Sequence, residues 1–304
     1  MENFLNIIAY LLIGIFLKQI KKIPRDFSNA LNLFVIYISL PALVLLKVPK
    51  LTFSKELIFT ATLPWIMVVI SAAFVILFSK LFGWKRQLTG CLLLMIPLGN
   101  TSFLGIPMVK AFFGEEATAY AIIYDQLGSF LALSTYGAVI LALYSSSKTN
   151  TFSFKETVYK IVTFPPFIAL IIAGFLWGQK FPAIIEGLLF SLGSTLVPLV
   201  MVAVGFQLGL KLEEGGLAPL SVGLLIKLCI APAFAILIAK LFQLNGIATQ
   251  VALFEAGMPP MVSAGALAIL AGLSPRLTAA LVGFGIFLSF ITLPLLQKLI
   301  ITLL

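Results

Sequence analysis

Two stretches decide the fold: residues 96–107, IPLGNTSFLGIP, and residues 255–266, EAGMPPMVSAGA. In the first, Pro97, Gly99, Gly105 and Pro107 bracket Asn100, Thr101 and Ser102. In the second, Glu255 is followed by Gly257, Pro259 and Pro260, then by Ser263 and Gly265. Each stretch interrupts a long apolar run. Proline removes an amide donor and clashes with the preceding helical turn. At bilayer depth the carbonyls so freed are tolerated only where the backbone lines a cavity or binds something. A half-helix N-terminus presents positive partial charge to such a cavity, and a C-terminus presents negative charge. The first suits an anion, the second a cation or a proton.

The rest of the chain agrees that lipid is its solvent. Of 304 residues, 61% are hydrophobic and 10% are charged, against about 25% charged in ordinary soluble domains. His is absent, which excludes a Ser-His-Asp triad, an HExxH zinc site and His-ligated haem. Cys91 and Cys229 lie in apolar runs and cannot build a four-Cys metal site. The net charge of +9 reads as cytoplasmic loops facing anionic lipid rather than as nucleic-acid binding.

A hydrocarbon core about 30 Å thick needs about 20 apolar residues per helix. Ten segments qualify: 4–20, 28–46, 57–79, 88–112, 117–144, 158–178, 186–210, 217–242, 246–272 and 277–303. No period-2 barrel pattern competes with them. The reading is an all-α membrane protein of ten transmembrane helices, with segment 1 a span rather than a cleavable signal peptide. A central polar loop, 145–156, divides it into halves 1–144 and 157–304. Twelve basic residues fall on one face, among them Lys18, Arg25, Lys85, Lys148, Lys155, Lys160, Lys211 and Arg276. Seven fall on the other: Lys47, Lys50, Lys55, Lys110, Lys180, Lys240 and Lys298. This bias puts the first face in the cytoplasm and both termini outside.

The halves repeat. Gly14 matches Gly174, Pro41 matches Pro198, Asn100 matches Pro259 and Thr118 matches Thr278, at nearly constant offsets. Because five spans is an odd number, the second copy enters the membrane inverted. Inverted repeats with paired broken helices are a recurrent plan for secondary transporters, with the substrate at the midplane. Segments 4 and 9 are those breaks.

Three ionisable residues lie inside spans: Asp125, Lys227 and Glu255. Each costs at least about 2.5–3.5 kcal/mol to place at a helix centre. Lys227 is suited to compensate Glu255 or Asp125, and Glu255 to bind a cation or carry a proton. Ser129 stands one helical turn from Asp125 and shares its face, whereas Tyr124 and Gln126 point elsewhere. Gln207 reads as a helix-end cap. Pro41, Pro198, Pro232 and Pro294 read as kinks, and most Phe as lipid-facing bulk, with Phe103 the exception. Ala264, Gly265, Ala266 and Ala268 allow close helix crossing.

With "GNTSFLGIP" in segment 4, a proline-broken segment 9 and a short central loop, nearly the whole chain resembles the auxin efflux carrier family, bacterial type. The resemblance implies a scaffold domain and a transport domain, each drawn from both repeats. It also implies an elevator-type site where segments 4 and 9 cross, and a homodimer through the scaffold in the cell inner membrane. Asn100 matches the crossover Asn that contacts the substrate carboxylate in plant members. "EAGM" is similar to a run in bile-acid–sodium symporters, where the Glu ligates sodium. Here Pro259-Pro260 stands where those proteins have Gln-Asn, so the side-chain ligands of one of the two sodium sites are lost, and a sodium site there would be built from Glu255, Asn100, Ser102 and segment 5 hydroxyls.

The resulting expectation is a secondary active or facilitative carrier of small carboxylates such as malonate, malate or auxin-like acids. Thr101, Ser102, Gly105, Pro259, Pro260 and Ser263 would line its site around Asn100. Coupling is open between sodium, a proton and none. The alternative is a sodium- or proton-coupled symporter of bile-acid or steroid type, or a cation exchanger, on the same fold. An enzyme is not expected, because neither buried acid lies in a recognisable catalytic pattern.

Overall fold

The computed structural model describes residues 2–145, 153–208 and 217–304. Lys148 and Lys211, used above for orientation, lie outside them, as does most of the central loop. Among the described residues the fold is helical throughout, with one isolated β-bridge.

Among the described residues, six helices are long and apolar enough to cross a membrane. They are α2 (Phe27–Lys50), α3 (Lys55–Leu81), α6 (Thr118–Tyr144), α9 (Ala183–Gln207), α10 (Leu217–Leu241) and α13 (Pro275–Leu303). At 1.5 Å per residue even the shortest spans about 36 Å, more than the hydrocarbon core. α1 (Glu2–Leu17) is shorter. α7 (Phe154–Val162) and α8 (Pro165–Phe175) meet at a 63° bend. Two further apolar stretches are interrupted: α4 (Arg86–Met95) is followed by α5 (Thr101–Phe113), and α11 (Gly246–Ala256) by α12 (Val262–Leu270). The chain is therefore an all-α membrane protein.

Prolines shape the helices differently from simple kinks. π-helical turns occupy Val35–Ser39, Thr101–Gly105 and Ile226–Ile230. Each is followed two residues on by a proline: Pro41, Pro107 and Pro232. A proline ring clashes with the carbonyl four residues back, and a widened turn relieves that clash without ending the helix. Two more π-helical turns, Asp125–Phe130 and Leu133–Gly137 in α6, have no such proline.

Packing falls into two groups of helices. α1 runs along α9, and α8 and the start of α9 pack on α2. Ser39 and Thr195 hydroxyls meet at 2.7 Å between α2 and α9, and Lys18 Nζ donates to the Leu208 carbonyl at 2.5 Å. The α1–α9 crossing is backbone on backbone: a Cβ at Gly14 would overlap the Val202 carbonyl, and one at Gly205 the Leu11 carbonyl. Gly174, the repeat counterpart of Gly14, has open space around it, so that sequence match does not reflect shared packing. The other group joins α3, α6, α10 and α13 around the two interrupted stretches. There Gly128 of α6 leaves room for the Pro64 ring of α3.

Backbone atoms cannot swing aside as a side chain can. Gly205→Ala is therefore expected to destabilise by at least about 1–3 kcal/mol, the usual cost of overpacking. A lowered melting temperature in detergent checks it, with Gly174→Ala as the neutral control.

Candidate functional site

The two interruptions meet. Asn100 N–H donates to the Pro259 carbonyl at 2.8 Å, and Met261 N–H donates to the Leu98 carbonyl at 3.0 Å. Gly99 and Pro260 form an antiparallel bridge between them. The carbonyls of Leu98 and Pro259 are thus satisfied by the opposite break, a partner that single-helix reasoning does not supply. α4 packs beside α12 and α11 beside α5, as an antiparallel crossing requires. Two helix C-termini, at Met95 and Ala256, and two N-termini, at Thr101 and Val262, converge on the crossing. Neither N-terminus has a side-chain cap. Gly285 of α13 lets that helix approach closely: a Cβ there would lie 2.7 Å from Pro260 Cδ.

Asn100 is 2% exposed, and its Nδ2 has no hydrogen-bond partner. Its carbonyl accepts from Leu104 N at 3.3 Å and Gly105 N at 3.0 Å, closing the π-helical turn that carries Thr101 and Ser102. Thr101 Oγ1 donates to Asp125 Oδ1 at 2.6 Å, and Gln126 Nε2 donates to Asp125 Oδ2 at 2.6 Å. The Ser102 hydroxyl faces the same carboxylate. Gln126, expected on another face, joins Asp125 because both sit in the widened turn Asp125–Phe130 rather than in regular α-helix.

Glu255 is fully buried at the end of α11, and neither carboxylate oxygen has a partner. It rests on Gly105, where an added Cβ would overlap both oxygens. Lys227, 3% exposed, comes from the π-helical turn of α10. Its Nζ lies 3.2 Å from where a Gly99 Cβ would stand. Lys227 and Glu255 line one cavity with Pro97, Gly99, Thr101 and Ser129, without a salt bridge between them among the described residues. That cavity measures about 10 Å³, the lower limit for one water, so the crossing is closed to any organic molecule. Ser263 is half-buried at the start of α12. Gly257 gives way to Leu296 of α13.

Larger cavities flank the half-helices that leave the crossing in opposite directions. One of about 190 Å³ is lined by Tyr10, Pro107, Lys110, Ser194 and Pro198. The other, about 230 Å³, is lined mainly by apolar atoms and includes Gln207, Val262, Gly265 and Thr278. Near the first, Lys110 pairs with Glu115 at 2.6 Å. Lys47, at the end of α2, reaches Glu115 at 3.5 Å and Glu116 at 3.4 Å. The Lys47 pairs join elements remote in sequence and carry no local signal.

The model of a family described as membrane transport protein matches residues 1–297. The chain belongs to this family, that of the auxin efflux carriers. It is 29% identical over 269 residues to an uncharacterized transporter of Methanocaldococcus jannaschii, covering 85% of each chain. It is 26% identical over 299 residues to an uncharacterized transporter of Methanothermobacter thermautotrophicus, covering 97% of this chain and 96% of that one. In this membrane transport protein the crossing therefore belongs to a transporter.

Proposed function

We propose that the protein carries small organic anions of the carboxylate class across the membrane, the class to which malonate, malate and auxin-like acids belong. The observation that carries this reading is the unpartnered Asn100 amide, set beside two uncapped helix N-termini at the crossing. A buried donor without an acceptor costs free energy that a bound carboxylate recovers. Thr101, held by Asp125, and Ser263 flank the same place.

The chain crosses the membrane ten times, as two inverted five-helix repeats, 1–144 and 157–304, with both termini outside. α1, α2, α8 and α9 form the scaffold, through which a homodimer assembles. The remaining spans form the transport domain. Because the crossing is closed, substrate reaches it only when the transport domain slides against the scaffold, opening it toward one flanking cavity at a time. The test is uptake of labelled malonate, malate and indole-3-acetate by proteoliposomes. Absence of flux and of binding for every carboxylate, under all ion gradients, sinks the reading.

A second reading, coupling to sodium, is favoured by the unpartnered oxygens of Glu255. Ser102 turns toward Asp125, which leaves the Glu255 carboxylate and the Asn100 side chain as the ligands of the expected site. Sodium binding would stabilise the fold by about 2.7 kcal/mol at a hundredfold excess over Kd. A melting temperature that rises with sodium but not with potassium checks it. If the two salts act equally, Lys227 is the cation that serves Glu255, and transport is uncoupled from sodium.

Movement must also break the Lys47 pairs, which tie the scaffold to the α5–α6 connection. Half-exposed pairs are worth about 0.2–1 kcal/mol. E115Q/E116Q is therefore expected to change turnover roughly two- to fivefold with KM unchanged, in a counterflow assay.

A further inference from the structure

The helix α7 (Phe154–Val162) serves neither the crossing nor the flanking cavities, yet its faces are sharply sorted. Thr157 is buried and Ile161 half-buried against the Leu133–Gly137 turn of α6. Next around the helix come Phe154, Val158, Val162 and Tyr159, exposed by 73%, 40%, 50% and 67%. The remaining sector holds Glu156 and Lys160, while Lys155 sits within the apolar sector on a stem long enough to reach outward. Helical geometry at 3.6 residues per turn thus gives three contiguous strips: protein, apolar and charged.

The chain then turns by 63° into α8. Phe164 at the corner stacks on Phe130 of α6 with ring centroids 4.1 Å apart, and Pro165 and Pro166 open the next helix. If α8 stands near the membrane normal, the nine residues of α7 rise only about 6 Å along it. That matches the thickness of one headgroup layer. A continuation of α8 through the hydrocarbon would instead submerge Lys155, Glu156 and Lys160.

We propose that α7 is an interfacial helix lying on the membrane surface, its apolar strip set among the upper acyl chains and Lys155 and Lys160 on anionic lipid headgroups. The charge favours this occupant over a protein partner. Two lysines against one glutamate make the helix net positive, its exposed apolar strip continues directly into a membrane helix, and anionic lipids concentrate in the cytoplasmic leaflet, the leaflet assigned to this segment by the basic residues.

The test uses the full chain in vesicles, with Cys91→Ser and Cys229→Ser as background and fluorophores at Val158→Cys or Glu156→Cys. Val158 is expected to be quenched by a shallow lipid-attached quencher and protected from iodide, and Glu156 the reverse. Vesicles of phosphatidylglycerol and phosphatidylcholine should raise the melting temperature over phosphatidylcholine alone, and K155Q/K160Q should lose that rise. Three results would overturn the proposal. The first is quenching of both labels from the bilayer centre, which makes α7 part of a span. The second is equal iodide access to both, which frees it into water. The third is a lipid-dependent rise unchanged in K155Q/K160Q.

Discussion

Glu255→Gln and Lys227→Met should each destabilise the protein by about 3–5 kcal/mol, and the double variant should recover most of the loss. Both side chains are buried, and both line a cavity that holds at most one water. Removing either leaves the other charge alone at a depth where charge is costly. Removing both takes out the pair together, which is often no less stable than keeping a buried pair, and leaves Asp125 with its Thr101 and Gln126 bonds. Neither group has a competing ion pair among the described residues: the pairs there join Lys47, Lys50 and Lys110 to Glu115, Glu116 and Glu186. The measurement is thermal unfolding of the four proteins of the cycle in one detergent. Additive losses would show that Lys227 and Glu255 do not compensate each other. Transport separates stability from mechanism. A stable double variant that still moves carboxylate assigns the pair to structure, and one that binds without moving it assigns them to the transport step.

The crossing was legible in sequence because its causes are local. Prolines and glycines clustered within a few residues disfavour regular helix, so the breaks at Pro97–Gly99 and Gly257–Pro260 follow from residue type, whereas the single prolines Pro64 and Pro294 stay within α3 and α13. Setting the two halves of the sequence side by side puts Asn100 against Pro259, the two residues the backbone hydrogen bond joins. The three membrane-depth charges were legible for a similar reason: an apolar run exposes them. What escaped depends on packing. The π-helical turns before Pro41, Pro107 and Pro232 had a local signal, the proline itself, but a kink and a widened turn share it. The turn at Asp125–Phe130 had none, and it is this turn that brings Gln126 onto Asp125. The Gly14–Gly205 contact joins helices far apart in sequence. The bend inside segment 6 has no local signal, because "VYKIV" is apolar enough to extend a span and the corner at Phe164 depends on a stacking partner in another helix.

Asn100→Ala should weaken carboxylate binding about 10- to 150-fold while leaving the melting temperature of the unliganded protein unchanged or raised. A hydrogen bond to a charged acceptor contributes about 1.5–3 kcal/mol, which sets the fold-change. The stability half follows from the geometry. The Asn100 Nδ2 has no protein partner to lose, and its backbone, which does have partners in Pro259, Leu104 and Gly105, is kept by alanine. Deleting an unsatisfied buried donor relieves a desolvation cost rather than creating one. Gly105→Ala is the contrasting variant. Its new methyl would collide with the Glu255 carboxylate, so the fold itself should suffer, and binding should fall with it. Isothermal titration of each variant, beside its melting curve, distinguishes a lost ligand contact from a lost site. Unaltered carboxylate affinity in Asn100→Ala would remove this residue from the binding site. A melting temperature that falls as far as in Gly105→Ala would instead make its amide part of the crossing's own structure.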